Sequence, residues 1–174
     1  DELMHVKMDM LRLQTMAETQ QPLDTLKHQF IIFKEQFYRV ATIVFYFNEY
    51  ESKLLNAPAV PRVEEGNPQT VIPPHGIQTL EDLIWTDGPD ISNEMQVKVK
   101  EEAAYIANVI DRMLNEQDRI FKFNPVQVWE SLFHSITRIA TLGITGFDSP
   151  VALLSIQETV ANVDGMVQLL EIIG

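Results

Sequence analysis

A short run of polar and ionisable side chains follows two adjacent prolines, at positions 73 and 74, in the middle of the chain. It consists of His75, Gln78, Glu81 and Asp82. At about 100° per residue, His75, Gln78 and Asp82 share one stripe of a short helix, and Glu81 lies beside Gln78. An imidazole with carbonyl and carboxylate oxygens at this spacing can bind a metal, serve as an acid or base, or fill a polar gap between helices.

Two interpretations of this motif remain open. In the first, His75 is a metal ligand or an acid–base group assisted by Gln78, Glu81 or Asp82. Zinc and iron sites generally need three protein ligands, so distant residues would have to supply the others. In the second, His75 caps a helix within a proline turn and bonds to local backbone. The single histidine favours this structural role and leaves a metal unknown.

A second polar group involves residues far apart in the sequence. Glu51 is the one carboxylate in an otherwise apolar helical series, and His134 and Arg138 are four residues apart on a later helix. A carboxylate that faces a helical core must be paired or protonated. We therefore expect a buried polar network that joins Glu51 to His134 or Arg138 and links helices rather than performing catalysis.

Apolar residues recur at steps of three and four, which is typical of long amphipathic helices. The first series extends over residues 23–55, and a shorter helix is expected over 3–17. Three further helices are predicted to begin at Ser92-Asn93, Asn124-Pro125 and Ser149-Pro150, where a capping side chain or an N-cap–proline pair precedes apolar periodicity. The last helix carries an apolar series that we expect to face the core: Leu153, Ile156, Val160, Val163, Val167 and Leu170.

These patterns predict an all-α fold. We expect a bundle of about four long helices, with the short motif helix and an irregular segment packed against it. That segment, residues 56–74, contains five of the nine prolines, which disfavour helix. Aromatic residues such as Phe30, Phe33 and Phe37 follow helical spacing and are predicted to belong to the core.

Composition excludes several classes of function. The 174 residues include 25 acidic and 13 basic side chains, and the net charge of −12 disfavours binding to nucleic acid or to an anionic membrane surface. The absence of cysteine excludes disulfides, thiolate metal sites and the C-x-x-C-H attachment of c-type haem in this segment. No apolar run approaches the roughly 20 residues of a membrane span.

Three separated blocks carry a resemblance to a known family. They are APAVPRVEE at 57–65, VIPPHGIQTLE at 71–81 and TLGITGFDSP at 141–150. In this order they resemble the N-terminal helical region of certain bacterial cytochrome c peroxidases, over most of the chain from about Phe37 onward. The resemblance implies that residues 1–174 form a single helical domain and an N-terminal module of a longer protein. Haem c is then expected only in a following di-haem domain, with no cofactor in this segment.

The same region resembles, more remotely, the imelysin-like helical domains, whose hallmark is G-x-H-x-x-E. His75 matches the histidine of that pattern, whereas Pro73 stands at the glycine position and Gln78 at the glutamate position. An amide cannot replace a carboxylate as a general base, although Glu81 on the next turn offers one.

Together the residues and the resemblance predict a function without catalysis. We expect an imelysin-like accessory domain in a periplasmic or cell-envelope peroxidase-like protein. It would position the haem domain of the same chain or dock a basic electron-donor cytochrome, which the acidic surface would steer. The alternative is an imelysin-type domain that binds a metal or ligand at His75, Gln78 and Glu81. An independent enzyme is the weakest expectation, since no nucleophile–base pair is apparent.

Overall fold

The computed structural model describes residues 2–64, 66–85, 91–120 and 124–173, and the side chains of all of these except 116–120 and 173. The described part is mainly α-helical, which confirms the all-α prediction. Its helices are α1 (Glu2–Glu18), α2 (Leu23–Phe47), α3 (Glu49–Leu55), α4 (Ile77–Ile84), α5 (Asn93–Ile120), α6 (Pro125–Arg138) and α7 (Ser155–Ile173). A π-helical turn, Ile139–Gly143, extends α6. None of these helices is long and apolar enough to cross a membrane.

The core lies mainly around α1, which packs against both α2 and α5, and α7 packs against α2. Phe30, Phe33 and Phe37 on α2 are fully buried there, as their helical spacing predicts. The edge of Trp85, just after α4, contacts the ring of Phe30 at a centroid distance of 5.4 Å. The motif helix is thereby anchored to the centre of the bundle, and burial of these aromatic side chains contributes strongly to stability.

The helix predicted over residues 23–55 is interrupted at Asn48, where α2 ends and α3 begins. Asn48 has φ −116° and ψ 53°, outside the helical region. Ser52 stabilises the break, since its hydroxyl donates to the carbonyl oxygens of Val44 at 2.9 Å and of Asn48 at 2.7 Å. Both oxygens also accept from the backbone amide four residues later, Asn48 N at 3.0 Å and Ser52 N at 2.8 Å, so the hydroxyl adds a second donor to each carbonyl group at the break.

The predicted starts of the three later helices have different outcomes. The Ser92 hydroxyl accepts a hydrogen bond from Met95 N at 3.2 Å, and Asn124 forms a capping box with Gln127, so α5 and α6 begin as predicted. The prediction for Ser149-Pro150 is wrong, because α7 begins at Ser155. Residues 149–154 form a turn whose backbone amides bind a side chain from α4, as described below.

The orientation predicted for α7 is also wrong. Its apolar series is exposed, whereas Glu158, Ala161 and Asn162 are buried. Gly165 explains this orientation, because a Cβ atom at this position would overlap the carbonyl oxygen of Arg39 on α2. The two backbones can approach this closely only where α7 presents its small residues to α2.

The proline-rich segment is more regular than its composition indicates. Residues Arg62–Glu64 (β1) and Asn67–Ile72 (β2) form a two-stranded antiparallel hairpin with Arg62 opposite Ile72. All described residues of both strands are exposed, so the hairpin contributes little to the core. The prediction that this segment is not helical is confirmed, and the prediction of an irregular segment is corrected.

Candidate functional site

The motif helix α4 begins after a close approach between the chain and the end of α3. Gly76 has φ +115°, and a Cβ atom there would lie 2.6 Å from the carbonyl oxygen of Leu55 and 2.8 Å from that of Leu54. Both the positive φ and the lack of space require glycine at this position. The position of His75 relative to α4 therefore depends on a backbone conformation at Gly76 that amino acids other than glycine rarely adopt.

His75 lies against α5 rather than against the other polar residues of its motif. Its Nδ1 atom is 2.9 Å from Oε2 of Glu102, and its ring stacks on Tyr105 at 4.9 Å between centroids. The other carboxylate oxygen of Glu102 accepts a hydrogen bond from Gly76 N at 2.6 Å. Glu102 thus holds the proline turn and the first residues of the motif on α5, a contact that the sequence prediction missed.

Gln78 and Glu81 contact a different part of the chain, the segment before α7. Gln78 donates a hydrogen bond to the carbonyl oxygen of Phe147 at 3.1 Å. Glu81 is completely buried and accepts from the backbone amides of Val151 at 3.0 Å and Ala152 at 2.8 Å, and from the Ser149 hydroxyl at 3.0 Å. Its carboxylate therefore fixes the turn that delays the start of α7.

Asp82 is exposed and takes no part in these interactions. The four motif residues thus point in three directions: His75 to α5, Gln78 and Glu81 to residues 147–152, and Asp82 to solvent. Among the described residues, no group of three His, Asp or Glu side chains is placed to hold a metal ion. The spacing on the helix predicted that these residues share one stripe. They do not act together, because α4 lies between α5 and residues 147–152 and contacts both.

A buried charge cluster, which we define as Lys34, Glu81 and Glu158, lies beneath this turn. Lys34 is only 1% exposed, and its Nζ atom lies 2.8 Å from Oε1 of Glu158 and 3.5 Å from Oε2 of Glu81. It also donates a hydrogen bond to the carbonyl oxygen of Asp148 at 3.0 Å. Burial raises the pKa of Glu158, and the charge of Lys34 opposes that shift. One cation therefore neutralises part of the charge on two buried carboxylates.

Asp148 extends this arrangement towards α6. Its carboxylate accepts hydrogen bonds from Arg138 Nη2 at 2.6 Å and from Asn56 Nδ2 at 2.8 Å. The Arg138 guanidinium also lies over the ring of Phe45, at 4.1 Å from the centroid. These contacts connect α6, α3 and the turn before α7, and they use the arginine that we expected to pair with Glu51.

The predicted network of Glu51 with His134 or Arg138 does not form. Glu51 is buried and lies 3.0 Å from the Nε atom of Arg112 on α5. The edge of His134 contacts the ring of Tyr46 at 5.5 Å between centroids. The break at Asn48 explains the difference, because it directs α3 towards α5 instead of continuing α2 along α6.

An open surface cleft of about 290 Å³ borders the motif on the α5 side. His75, Tyr105 and Lys98 are among the residues that line it. Since Glu102 engages Nδ1 of His75, the Nε2 atom is the ring nitrogen that a ligand in this cleft would reach. The buried carboxylate of Glu81 does not line the cleft.

Searches for similar proteins among models of known families, curated sequences and solved structures find no match for this chain.

Proposed function

We propose that this chain is a non-catalytic helical accessory domain of a cytochrome c peroxidase-like protein in the periplasm or cell envelope. It positions the haem-bearing domain of the same polypeptide or docks an electron-donor protein. The observation that carries the non-catalytic role is the complete use of the Glu81 carboxylate in internal contacts. The peroxidase context comes from the resemblance of residues 57–65, 71–81 and 141–150.

The imelysin-like pattern has a glutamate where this chain has Gln78, and Glu81, three residues later, is the nearest carboxylate to that position in the sequence. A general base must come within hydrogen-bond reach of the proton that it removes. Glu81 has no exposed surface, and its oxygens already accept from two backbone amides and a hydroxyl. These contacts support a structural role, in which α4 joins α2 to the turn before α7.

The charge of the chain supports docking of a basic partner. With a net charge of −12, the chain attracts a positively charged cytochrome over a range set by the ionic strength. Electron-transfer partners form small, weak interfaces, for which such steering matters more than a large contact area. The same charge opposes binding to nucleic acid.

The test is the association of the chain with two small c-type cytochromes, one basic and one acidic, measured by titration calorimetry at low and high salt. We expect binding of the basic cytochrome that weakens as salt increases, and no binding of the acidic one. Equal binding of both, or binding that does not change with salt, contradicts steering. For the peroxidase context, the polypeptide that carries this chain should contain two C-x-x-C-H motifs, and their absence contradicts it.

The cleft beside His75 favours a second candidate, an imelysin-type domain that binds a metal or small ligand. Glu102 holds Nδ1 of His75, which is how carboxylates commonly orient a histidine that binds a ligand through Nε2. The proposal differs from the first in requiring a stoichiometric ligand. Titration with divalent metals, compared between the parent chain and His75→Ala, separates the two: stoichiometric binding lost in the variant supports the second candidate.

A further inference from the structure

Helices α6 and α7 each carry an apolar stripe on their exposed side. On α6 the stripe is Val126, Trp129, Phe133 and Ile136; on α7 it is Ile156, Val160, Val163, Val167 and Leu170. Trp129 is 61% exposed and Phe133 is 69% exposed, whereas large aromatic side chains are normally well buried. Exposed apolar patches of this extent mark interaction surfaces.

The spacing of both stripes indicates a helical partner. The residues follow steps of three and four, which is the heptad pattern of helices that pack side by side. On α7 the stripe lies about 180° from the buried Ala161 and Gly165 at 100° per residue. This helix therefore packs on α2 with one side and presents to solvent an apolar stripe that the exposed Asp164 and Glu171 flank.

The two stripes belong to helices that are in contact. The Ser135 hydroxyl on α6 donates to Oδ1 of Asn162 on α7 at 2.9 Å, and this bond is buried. A Cβ atom at Gly143, in the turn that extends α6, would lie 3.2 Å from the Thr159 hydroxyl of α7. We define the nine stripe residues together as the α6–α7 face, and it contains no charged residue.

We propose that a second copy of this chain covers the α6–α7 face, so that two copies pair α6 and α7 across a two-fold axis as four helices. A symmetric contact needs a surface that complements itself, and an uncharged heptad stripe does so. With two aromatic and seven aliphatic side chains about half exposed, the face offers on the order of 800 Å² per copy, which is the area of a standard stable interface. This association goes beyond the proposed accessory function and does not depend on a haem partner.

The acidic charge gives the dimer a distinctive dependence on salt. Each copy carries −12, so the two copies repel each other at long range while the apolar face attracts at contact. Dimerisation should therefore strengthen as salt increases. Docking of a basic cytochrome should weaken under the same conditions, so failure of one proposal is distinguishable from failure of the other.

Sedimentation equilibrium of the chain over a range of concentrations tests the proposal. Val160→Glu places a charge within the face, and Phe133→Ser removes its most exposed side chain on α6. Val97→Glu is the matched control, because Val97 is also an exposed helical valine, 53% exposed against 57% for Val160, and lies on α5. Circular dichroism of each variant verifies that the helices are retained.

We expect the parent chain and Val97→Glu to form a dimer of equal affinity. The dimer of Val160→Glu should be at least about a hundredfold weaker, since a charge in an apolar contact must be desolvated, and Phe133→Ser should weaken it as well. A parent chain that stays monomeric, open-ended aggregates in place of a dimer, or an equal effect of Val97→Glu and Val160→Glu overturns the proposal. If Val160→Glu does not fold, Phe133→Ser alone decides.

Discussion

Replacing Lys34 with methionine is the perturbation with the largest expected effect on stability. Lys34 is the cation of the buried charge cluster and lies between Glu81, which is 0% exposed, and Glu158, which is 2% exposed. Methionine fills a similar space but supplies no charge and no hydrogen-bond donor. The two carboxylates would then remain buried without a compensating cation.

The magnitude follows from the cost of an uncompensated buried charge. Removing one partner of a buried ion pair typically costs about 3–5 kcal/mol. For a chain of 150–250 residues, each kcal/mol lowers the melting temperature by about 2–4 °C. We therefore expect Lys34→Met to melt about 6–20 °C below the parent chain at neutral pH.

The assay is thermal unfolding followed by circular dichroism, with the matched control Lys53→Met. Lys53 forms an ion pair with Glu49 at 2.6 Å on the surface of α3, where both side chains are largely exposed. The control should therefore change stability only slightly. The double variant Lys34→Met/Glu158→Gln should recover part of the loss, because the neutral amide removes one of the two uncompensated charges.

The loss should also depend on pH. Burial raises the pKa of Glu158 in the folded chain above that in the unfolded chain, and Lys34→Met removes the charge that opposes this shift. The destabilisation is then present at neutral pH and disappears as pH falls below the ordinary glutamate pKa of 4.5, where Glu158 is protonated in both the folded and the unfolded chain. A loss no greater than that of Lys53→Met, or one that stays constant between neutral and acidic pH, refutes this reasoning.

Three further predictions test other contacts. Burial raises the pKa of Glu158 in the folded chain, so the parent chain should lose stability as pH rises from 4.5 through that folded pKa. Glu158→Gln removes this titration and should flatten the plot of melting temperature against pH in that range. An unchanged slope in the variant contradicts this prediction. Gly165→Ala should lower the free energy of unfolding in urea by about 1–3 kcal/mol, although alanine has the better helix propensity. The control Gly66→Ala should be close to neutral, because a Cβ atom there meets nothing within 4 Å. Equal effects of the two variants would contradict close packing of α7 on α2. Glu51→Ala should lower the melting temperature by only about 2–4 °C, because water can solvate the half-exposed Arg112 once its partner is removed. A loss above about 10 °C would contradict this, since it would require Arg112 to be buried together with Glu51.

Local sequence signals predicted the start of α6 well and that of α7 poorly, although a polar residue and a proline occur at both predicted starts, Asn124-Pro125 and Ser149-Pro150. The cap of Asn124 depends on residues two and three positions away, so the sequence contains all of its partners. At Ser149 the amides that would start a helix are bound by Glu81, which is 68 residues away in the chain. Such a competing partner is not visible in the local pattern.

The orientation of α7 shows a second limit of prediction from sequence. Its apolar stripe is genuine, and we expected it to face the core of the same chain. The buried side instead contains Gly165 and Asn162, which allow close approach to α2 and a hydrogen bond to the carbonyl oxygen of Tyr38 at 3.0 Å. Periodicity shows that a helix has an apolar side; it does not show which protein surface covers that side.

The candidate site was partly predictable. The motif helix, its buried Leu80 and Ile84, and the importance of Glu81 follow from residues 75–85. The partners Lys34 and Glu102 were missed because each is a charged residue within a long amphipathic helix, where a charge usually faces solvent. One sequence signal does indicate that Lys34 is buried: it follows the apolar Phe30 by four residues and so lies on the same, apolar side of α2.

We propose that the polar side chains of the motif hold helices together and do not bind a catalytic ion. The most direct measurement is elemental analysis combined with thermal unfolding of the purified chain, before and after incubation with excess zinc, iron(II) or manganese. We expect no stoichiometric ion and an unchanged melting temperature, with Glu81→Gln destabilising the chain equally in both conditions. One ion per chain that raises the melting temperature, and that is lost in His75→Ala or Glu81→Gln, would contradict the claim.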